Sequence, residues 1–420
     1  MKVKKRDGRI VDFNEQKIIR AILAAFESVD GEVTQYAVDK AYNIASYVSG
    51  YFEEDETNPT PGIEEIQDVI EKGLMSTKRK DVAKAYILYR EERNKIRNKN
   101  SALMQSIAEK LAASNVQNQN ANMDEHSFGG RMGEARNELM KDYALNYMVS
   151  KMARTNHLEN MVYIHDLDSY AVGMHNCLTV PFDELLAKGF NTRQTDVRPA
   201  NSINTAFQLV AVLFQLQSLQ QFGGVSASHL DWTMVPYVRK SFFKHFRNGM
   251  KYIEGEEIAG YNDEMSITDP QYKVRERVYQ YAIDMTEKEL MQAVEGMYHN
   301  LNTLQSRSGN QLPFTSINYG TCTLEEGRMV TKALLEGSIK GVGKVKKTAI
   351  FPCGIFQCMK GVNRKPGDPN YDLYRLALKS TAQRLYPNYV NVDWSVNAGY
   401  DVNDPKTYVS TMGKCKLQLI

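Results

Sequence analysis

The stretch Tyr163–Val180, YIHDLDSYAVGMHNCLTV, gathers the residue types that do chemistry: His165 with Asp166 and Asp168, a short apolar passage, then His175, Asn176 and Cys177. Taken singly, His165 reads as a buried, hydrogen-bonded histidine and Cys177 as an inert small hydrophobe. Taken together they admit three chemistries. Histidine and thiolate suit zinc, but the spacing of His165, His175 and Cys177 matches no common zinc motif. The chain has no CxxC pair either, since four residues separate Cys353 from Cys358. A cysteine nucleophile activated by His175 is the second. Those residues lie two positions apart, so the imidazole would have to fold back over a turn, which is poor geometry for a base. The third is radical chemistry, in which a thiol exchanges hydrogen atoms and electrons.

The rest of the chain has to position these groups. With 420 residues, 42% hydrophobic and 24% charged, it can bury a sizeable core in two or three domains. A net charge of +2 argues against bulk capture of nucleic acid, which needs a concentrated basic face. Five cysteines (Cys177, Cys322, Cys353, Cys358, Cys415), odd in number and widely spread, make no secreted disulfide framework, so a cytoplasmic setting is expected. MKVKKRDGRI has no apolar core behind it and is not a signal peptide. Ile203–Phe222 carries no formal charge, yet five glutamines would have to be desolvated in lipid. It is expected to be a buried helix with a stripe at Leu209, Leu213, Leu216 and Phe222, and no membrane span.

Residues 3–13, VKKRDGRIVDF, predict a hairpin turning at Asp7-Gly8. Asn14 then caps a helix whose apolar face is Ile18, Ile19, Ile22, Leu23 and Phe26. Helices are expected at about 35–52 and 63–76 around the acidic loop Glu53–Gly62, and a fourth from Arg79 through Arg90. The charged run 89–100 reads as a helix end and linker, with the domain boundary there. Lys4, Lys5, Arg6, Arg9 and Lys17 form either a solvated basic edge or, beside a helix N-terminus, a triphosphate cradle. This front segment resembles the ATP-cone, a regulatory nucleotide-binding domain, through Val3-x-Lys5-Arg6-Asp7-Gly8, Phe13-Asn14, Lys17-Ile18, Ile63–Leu74 and Ala83–Arg93. The resemblance implies a domain over 1–95 in which Lys5, Arg6, Asp7, Gly8, Asn14 and Lys17 lie at or near ATP or dATP, bound as allosteric effector.

The remainder resembles the anaerobic (class III) ribonucleotide reductases, which are glycyl-radical enzymes. Ile164-His165-Asp166-Leu167-Asp168 and Asn176-Cys177 resemble their first active-site strand. Pro199-Ala200-Asn201-Ser202-Ile203, Gln311–Thr315, Lys347–Pro352, Arg384–Pro387 and Thr411-Met412-Gly413 follow in the family's order. The asparagine ladder Asn115, Asn118, Asn120 and Asn122 also has its counterpart there. The implied fold is α/β: a small ATP-cone (β-hairpin plus helices), then, over 101–420, the N-terminal part of an incomplete α/β barrel of the glycyl-radical type.

The implied function is thiyl-radical reduction of ribonucleoside triphosphates to deoxyribonucleoside triphosphates under ATP/dATP control. Cys177 would be the reducing cysteine facing substrate, with His165, Asn201 and Ser202 as substrate contacts. The thiyl cysteine should follow Met-Gly directly, but the chain reads Met412-Gly413-Lys414-Cys415, which leaves Cys415 as its candidate. Nothing in the sequence resembles the family's glycyl-radical motif or its four-cysteine zinc site. The chain therefore reads as truncated and is expected not to turn over alone. Implied partners are a radical-SAM activase, formate or a small thiol protein as reductant, and a second copy when full length; no nucleic acid is implied. The alternatives are an ATP/dATP-sensing regulator without catalysis and another glycyl-radical enzyme. Lys340-Gly341-Val342-Gly343-Lys344 lacks the P-loop order and reads either as an exposed basic turn before a β-type run at Thr348–Phe351 or as a phosphate contact.

Overall fold

The computed structural model describes residues 2–412 apart from 6–7, 55–57, 100–101, 113–126, 174–176, 222, 308–310 and 395–398. The chain divides into two compact units, Met1–Gln105 and Ser106–Ile420. The front unit opens with the expected hairpin. Strands β1 (Lys2–Lys4) and β2 (Ile10–Asp12) run antiparallel with Val3 opposite Val11. Gly8 takes φ +83°, donates its N–H to the Lys5 carbonyl (2.9 Å) and so closes the turn that L side chains resist.

Four helices follow: α1 (Glu15–Asp30), α2 (Gln35–Glu53), α3 (Ile63–Ser76) and α4 (Lys80–Lys99). Their apolar faces meet in one core in which Ile22, Phe26, Ala41, Val48 and Leu74 have almost no exposed surface. Ion pairs fasten the outside. Arg79 reaches Asp30 (2.5 Å) and Asp81 (2.8 Å), and Arg90 reaches Glu64, Asp68 and Glu71 on α3. The charged run after Tyr89 is continuous helix to Lys99 rather than a helix end and linker. Arg, Glu and Lys are good helix formers, and the run holds no glycine or proline to stop it; charge marked solvation, not a break.

The second unit is built on five parallel strands in the order β3-β6-β7-β8-β9: β3 (Leu178–Thr179), β6 (Val225–Ala227), β7 (Thr315–Tyr319), β8 (Cys353–Cys358) and β9 (Asn388–Asn391). A small antiparallel ribbon, β4 (Phe190–Asn191) with β5 (Asp196–Val197), interrupts the first crossover. Parallel neighbours require long crossovers, and here the helices Ile203–Ser218, Val235–Gly249, Glu276–Thr303, Glu325–Lys340 and Tyr371–Arg384 supply them. The central strand β7 is buried along its whole length, as a strand covered on both faces must be. Among the described residues the sheet is open, with β3 and β9 at its edges.

The charge-free segment is a core helix, Ile203–Ser218, but its stripe is displaced from the expected one. Ile203, Ala206, Phe207, Val210, Leu213 and Phe214 are buried, Leu209 is only partly so, and Leu216 is 38% exposed. The buried set steps by three and four from Ile203, roughly a quarter-turn from the Leu209–Leu216 row. Phe222 lies outside the described residues. Among those described, no helix is long and apolar enough to cross a membrane. At Lys340–Lys347 the chain makes a tight turn, closed by Val342 and Lys347 exchanging backbone bonds and held by Arg384 on the Ile339 and Lys346 carbonyls. The strand after it starts at Cys353, not Thr348.

Candidate nucleotide site and candidate active site

In the front unit, a cavity of about 170 Å³ opens between the hairpin and α1 and α3. Lys5, Asn14 and Lys17 line it above an apolar floor that includes Ile18, Ile66 and Tyr86, with Gln67 alongside. These three residues come together because the hairpin runs straight into α1. Asn14 occupies the N-cap, but its side chain makes no capping bond. The expected cap is thus only positional, and the Asn14 amide is left to the cavity. Gly8 is in the turn and is not one of the lining residues; Arg6 and Asp7 lie outside the described residues.

The second unit carries a larger cavity, about 400 Å³, around β3 and the C-terminal end of β6. Such ends are where open α/β sheets collect their binding groups. Cys177 lines it, immediately before β3, where the Leu178 N–H bonds the Gly224 carbonyl at 3.0 Å. Around Cys177 stand Asp183, Ser228, His229, Thr233 and Lys406, none of which sequence reasoning singled out. The first four form one hydrogen-bonded chain. Ser228 Oγ is 2.7 Å from His229 Nδ1, His229 Nε2 is 2.9 Å from Asp183 Oδ2, and the Thr233 hydroxyl donates to Asp183 Oδ1 at 2.5 Å. Burial pushes the Asp183 carboxyl up, but His229, Thr233 and the charge of Lys406, 3.7 Å away, hold it below the usual carboxylate range. The one available signal was position: Ser228-His229 directly follows Val225–Ala227, the segment that becomes β6.

The other candidates separate from this cavity. His165 is exposed, its Nδ1 2.6 Å from Asp166 Oδ2, and Asp166 takes the left-handed φ of +58°. Asn201 is exposed, and the Ser202 oxygen accepts the Thr205 N–H as N-cap of the helix Ile203–Ser218. None of the three is among the lining residues. The active-site stretch is also not one strand, since Leu167–Tyr170 forms a single helical turn before β3. His175, Asn176, Cys415 and the asparagine ladder lie outside the described residues. A further group missed in the sequence is Arg307, only 8% exposed. Burial lowers its guanidinium, opposed by the charges of Asp166, Asp168 and Cys177, which puts a buried cation near the cysteine.

The segment ahead of Cys415 is pinned by two buried amides. Asn318 on β7 donates to the Thr411 carbonyl (3.1 Å) and accepts the Thr411 N–H (3.1 Å), and Gln357 on β8 donates to the Val409 carbonyl (3.0 Å). Met412 is buried, and a Cβ added to Gly224 would lie 3.6 Å from its sulfur. The chain leading to Cys415 therefore passes beside the residue that receives the Leu178 N–H, next to Cys177. Among the described residues, no three His, Cys, Asp or Glu side chains are grouped to hold a metal ion.

Comparison with known proteins yields two family models: "ATP cone domain" over residues 1–95 and "Anaerobic ribonucleoside-triphosphate reductase" over residues 119–420. The anaerobic ribonucleoside-triphosphate reductases of Salmonella typhimurium and Escherichia coli are each 30% identical over 414 residues, covering 98% of this chain and 54% of theirs. The chain thus spans about half the length of these relatives. A vitamin B12-dependent ribonucleoside-diphosphate reductase from Thermoplasma acidophilum is 40% identical over 100 residues, 23% of this chain and 12% of that protein. Among solved structures, the anaerobic ribonucleotide reductase from Thermotoga maritima in complex with dATP and CTP aligns at 15% identity and TM-score 0.45, covering 69% of this chain and 47% of that one.

Proposed function

We propose, from the premise that this chain belongs to the anaerobic ribonucleoside-triphosphate reductase family and carries an ATP-cone at its front, that its large cavity takes the ribose of a ribonucleoside triphosphate for reduction at C2′. Cys177 is the thiol that delivers reducing equivalents as the 2′ oxygen leaves as water. Cys415, three residues beyond Met412, is the thiol that takes the 3′ hydrogen once oxidised to a thiyl. A glycyl radical made by a radical-SAM activase would supply that oxidation, and formate or a small thiol protein would restore the reducing equivalents. The chain's own part is to bring two thiols to one sugar and keep water out.

The observation that supports this reading is the passage of Val409–Met412 across β7 and β8 to Gly224, beside Cys177. ATP or dATP binds at Lys5, Asn14 and Lys17 as effector, its base on the apolar floor and its phosphates on the lysines. Assembly is as a pair of copies when full length, and the setting is the cytoplasm, in keeping with four cysteines outside any disulfide among the described residues. Mild oxidation of the full chain tests the paired thiols: peptide mapping should find a Cys177–Cys415 disulfide. Ready alkylation of Cys177 with no such cross-link would sink the two-thiol site. Separately, Lys17→Ala should weaken ATP binding by about tenfold, the loss expected for one charge-assisted phosphate contact. Unchanged calorimetric affinity would remove Lys17 from the effector site.

A further inference from the structure

Hydrogen-bond direction in the cavity beside Cys177 is set by one carboxylate. Asp183, held ionised by its neighbours, can only accept, and it takes the His229 Nε2–H and the Thr233 O–H. In the tautomer that carries its proton on Nε2, His229 offers Nδ1 as an acceptor, so the Ser228 proton turns toward the ring, 2.7 Å away. Both hydroxyls then spend their only protons inward. What Ser228 and Thr233 show the cavity is lone pairs.

A ligand phosphate, carboxylate or carbonyl brings more lone pairs and is disfavoured against that wall. A group that brings its own O–H completes it. We propose that Ser228 and Thr233, oriented through His229 and Asp183, form an acceptor wall that reads the free hydroxyls of a ribose, while Lys406, exposed at the mouth, takes the anionic end of the nucleotide. The proposal rests on the reading that this cavity takes a ribonucleotide, and adds which residues recognise the sugar and by what polarity. His229 and Asp183 are positioning residues in it, since they act through the two hydroxyls.

The test uses the full chain at pH 8. CTP and 2′,3′-dideoxy-CTP are compared for protection of Cys177 from iodoacetamide, which locates binding at this cavity and not at the ATP-cone. The wild-type chain should be protected by CTP at concentrations about tenfold lower than by the dideoxy analogue, the discrimination expected when polar groups are left unpaired. Ser228→Ala and Thr233→Val should each bring that ratio toward one with little change in protection by the dideoxy nucleotide. Thr233→Ser, which keeps the hydroxyl, should restore it, and thermal melts confirm that each variant is folded. Protection without preference in the wild type, or a preference that survives in both variants, overturns the acceptor wall and leaves the functional reading standing. No protection by either nucleotide overturns both.

Discussion

The two cavities are built by different rules. Most polar groups of the front one, Lys5, Asp12, Asn14 and Lys17, come from a hairpin and the first turn of the helix behind it, with Gln67 added from α3. Those of the rear one come from Cys177, Asp183, His229 and Lys406, which only a correctly ordered parallel sheet brings together. The front site offers cations over an apolar floor, which suits a phosphate with a base attached. The rear site is organised by a carboxylate and offers a thiol and oriented hydroxyls, which suits a sugar. A local site survives whatever keeps its hairpin and helix together, whereas a site assembled across a sheet depends on the turns that set the strands.

The largest expected effect tests that dependence. Asp231, fully buried after β6, accepts N–H bonds from Gly320 (2.8 Å), Cys322 (2.9 Å) and Trp232 (3.1 Å), tying the end of β6 to the end of β7. Burial pushes its carboxyl up, and those N–H groups counter the rise. Asp231→Ala orphans all three donors and should cost about 3–5 kcal/mol. Both tryptophans, Trp232 and Trp394, lie in the second unit, so tryptophan fluorescence in a urea titration reads that unit alone. ATP binding by the front unit should persist. A loss below about 1 kcal/mol would mean the sheet site is as self-contained as the hairpin site.

Acid sharpens the contrast at smaller amplitude. Burial pushes the Glu289 carboxyl up, but bonds from His245 (2.7 Å) and Ser241 (3.1 Å) and the charge of Lys244 outweigh it and hold it below its ordinary 4.5. A depressed carboxylate stabilises the fold above its unfolded value, and that contribution is lost as pH falls through the lower folded value. Glu289→Gln should therefore cost roughly 1.5–3 kcal/mol at pH 7 and flatten the acid limb of the second unit's stability curve, with little dependence on salt. In the front unit Asp30 is also depressed, by its bond to Arg79, but it is solvent-screened. Asp30→Asn should give a small change that added salt erases. Equal salt sensitivity in the two variants would contradict the assignment of a buried and a screened carboxylate.

The same local-versus-distant rule explains what could be read in the sequence. The hairpin, the four front helices and the Lys5, Asn14 and Lys17 group were legible because each follows from residues within one or two turns of each other. The α/β alternation behind them was legible from the order of family motifs. Cys177 stood out as a thiol in a polar stretch, but the partners that surround it did not, because Asp183, His229 and Lys406 meet only through β3, β6 and the pinned segment near Thr411. His165 and Asn201 were expected as substrate contacts from the order of family motifs, and motif order carries no information about which way a side chain faces. The helix at 89–99 was missed because charge density was taken for a break.

The smallest effect separates Ser202 and Asn14, two residues expected to contact ligand that each stand at the N-cap of a helix. Ser202 spends its oxygen on the helix it begins, accepting the Thr205 N–H, while Ser241 Oγ takes the neighbouring Ile203 N–H at 3.0 Å. Ser202→Ala should cost about 1 kcal/mol, the usual loss of an N-cap, without changing nucleotide protection of Cys177. Asn14 has the same position on α1 but makes no capping bond. Asn14→Ala should leave stability within about 0.5 kcal/mol and instead weaken ATP binding several-fold, because an amide not spent on its helix is free to spend on a ligand. Measuring stability and binding on both variants gives a crossed result if the front site uses its helix start for recognition and the rear unit uses its own for folding. If Asn14→Ala lost stability and kept its affinity for ATP, the two helix starts would be equivalent, and the front site would have to be rebuilt around the lysines alone.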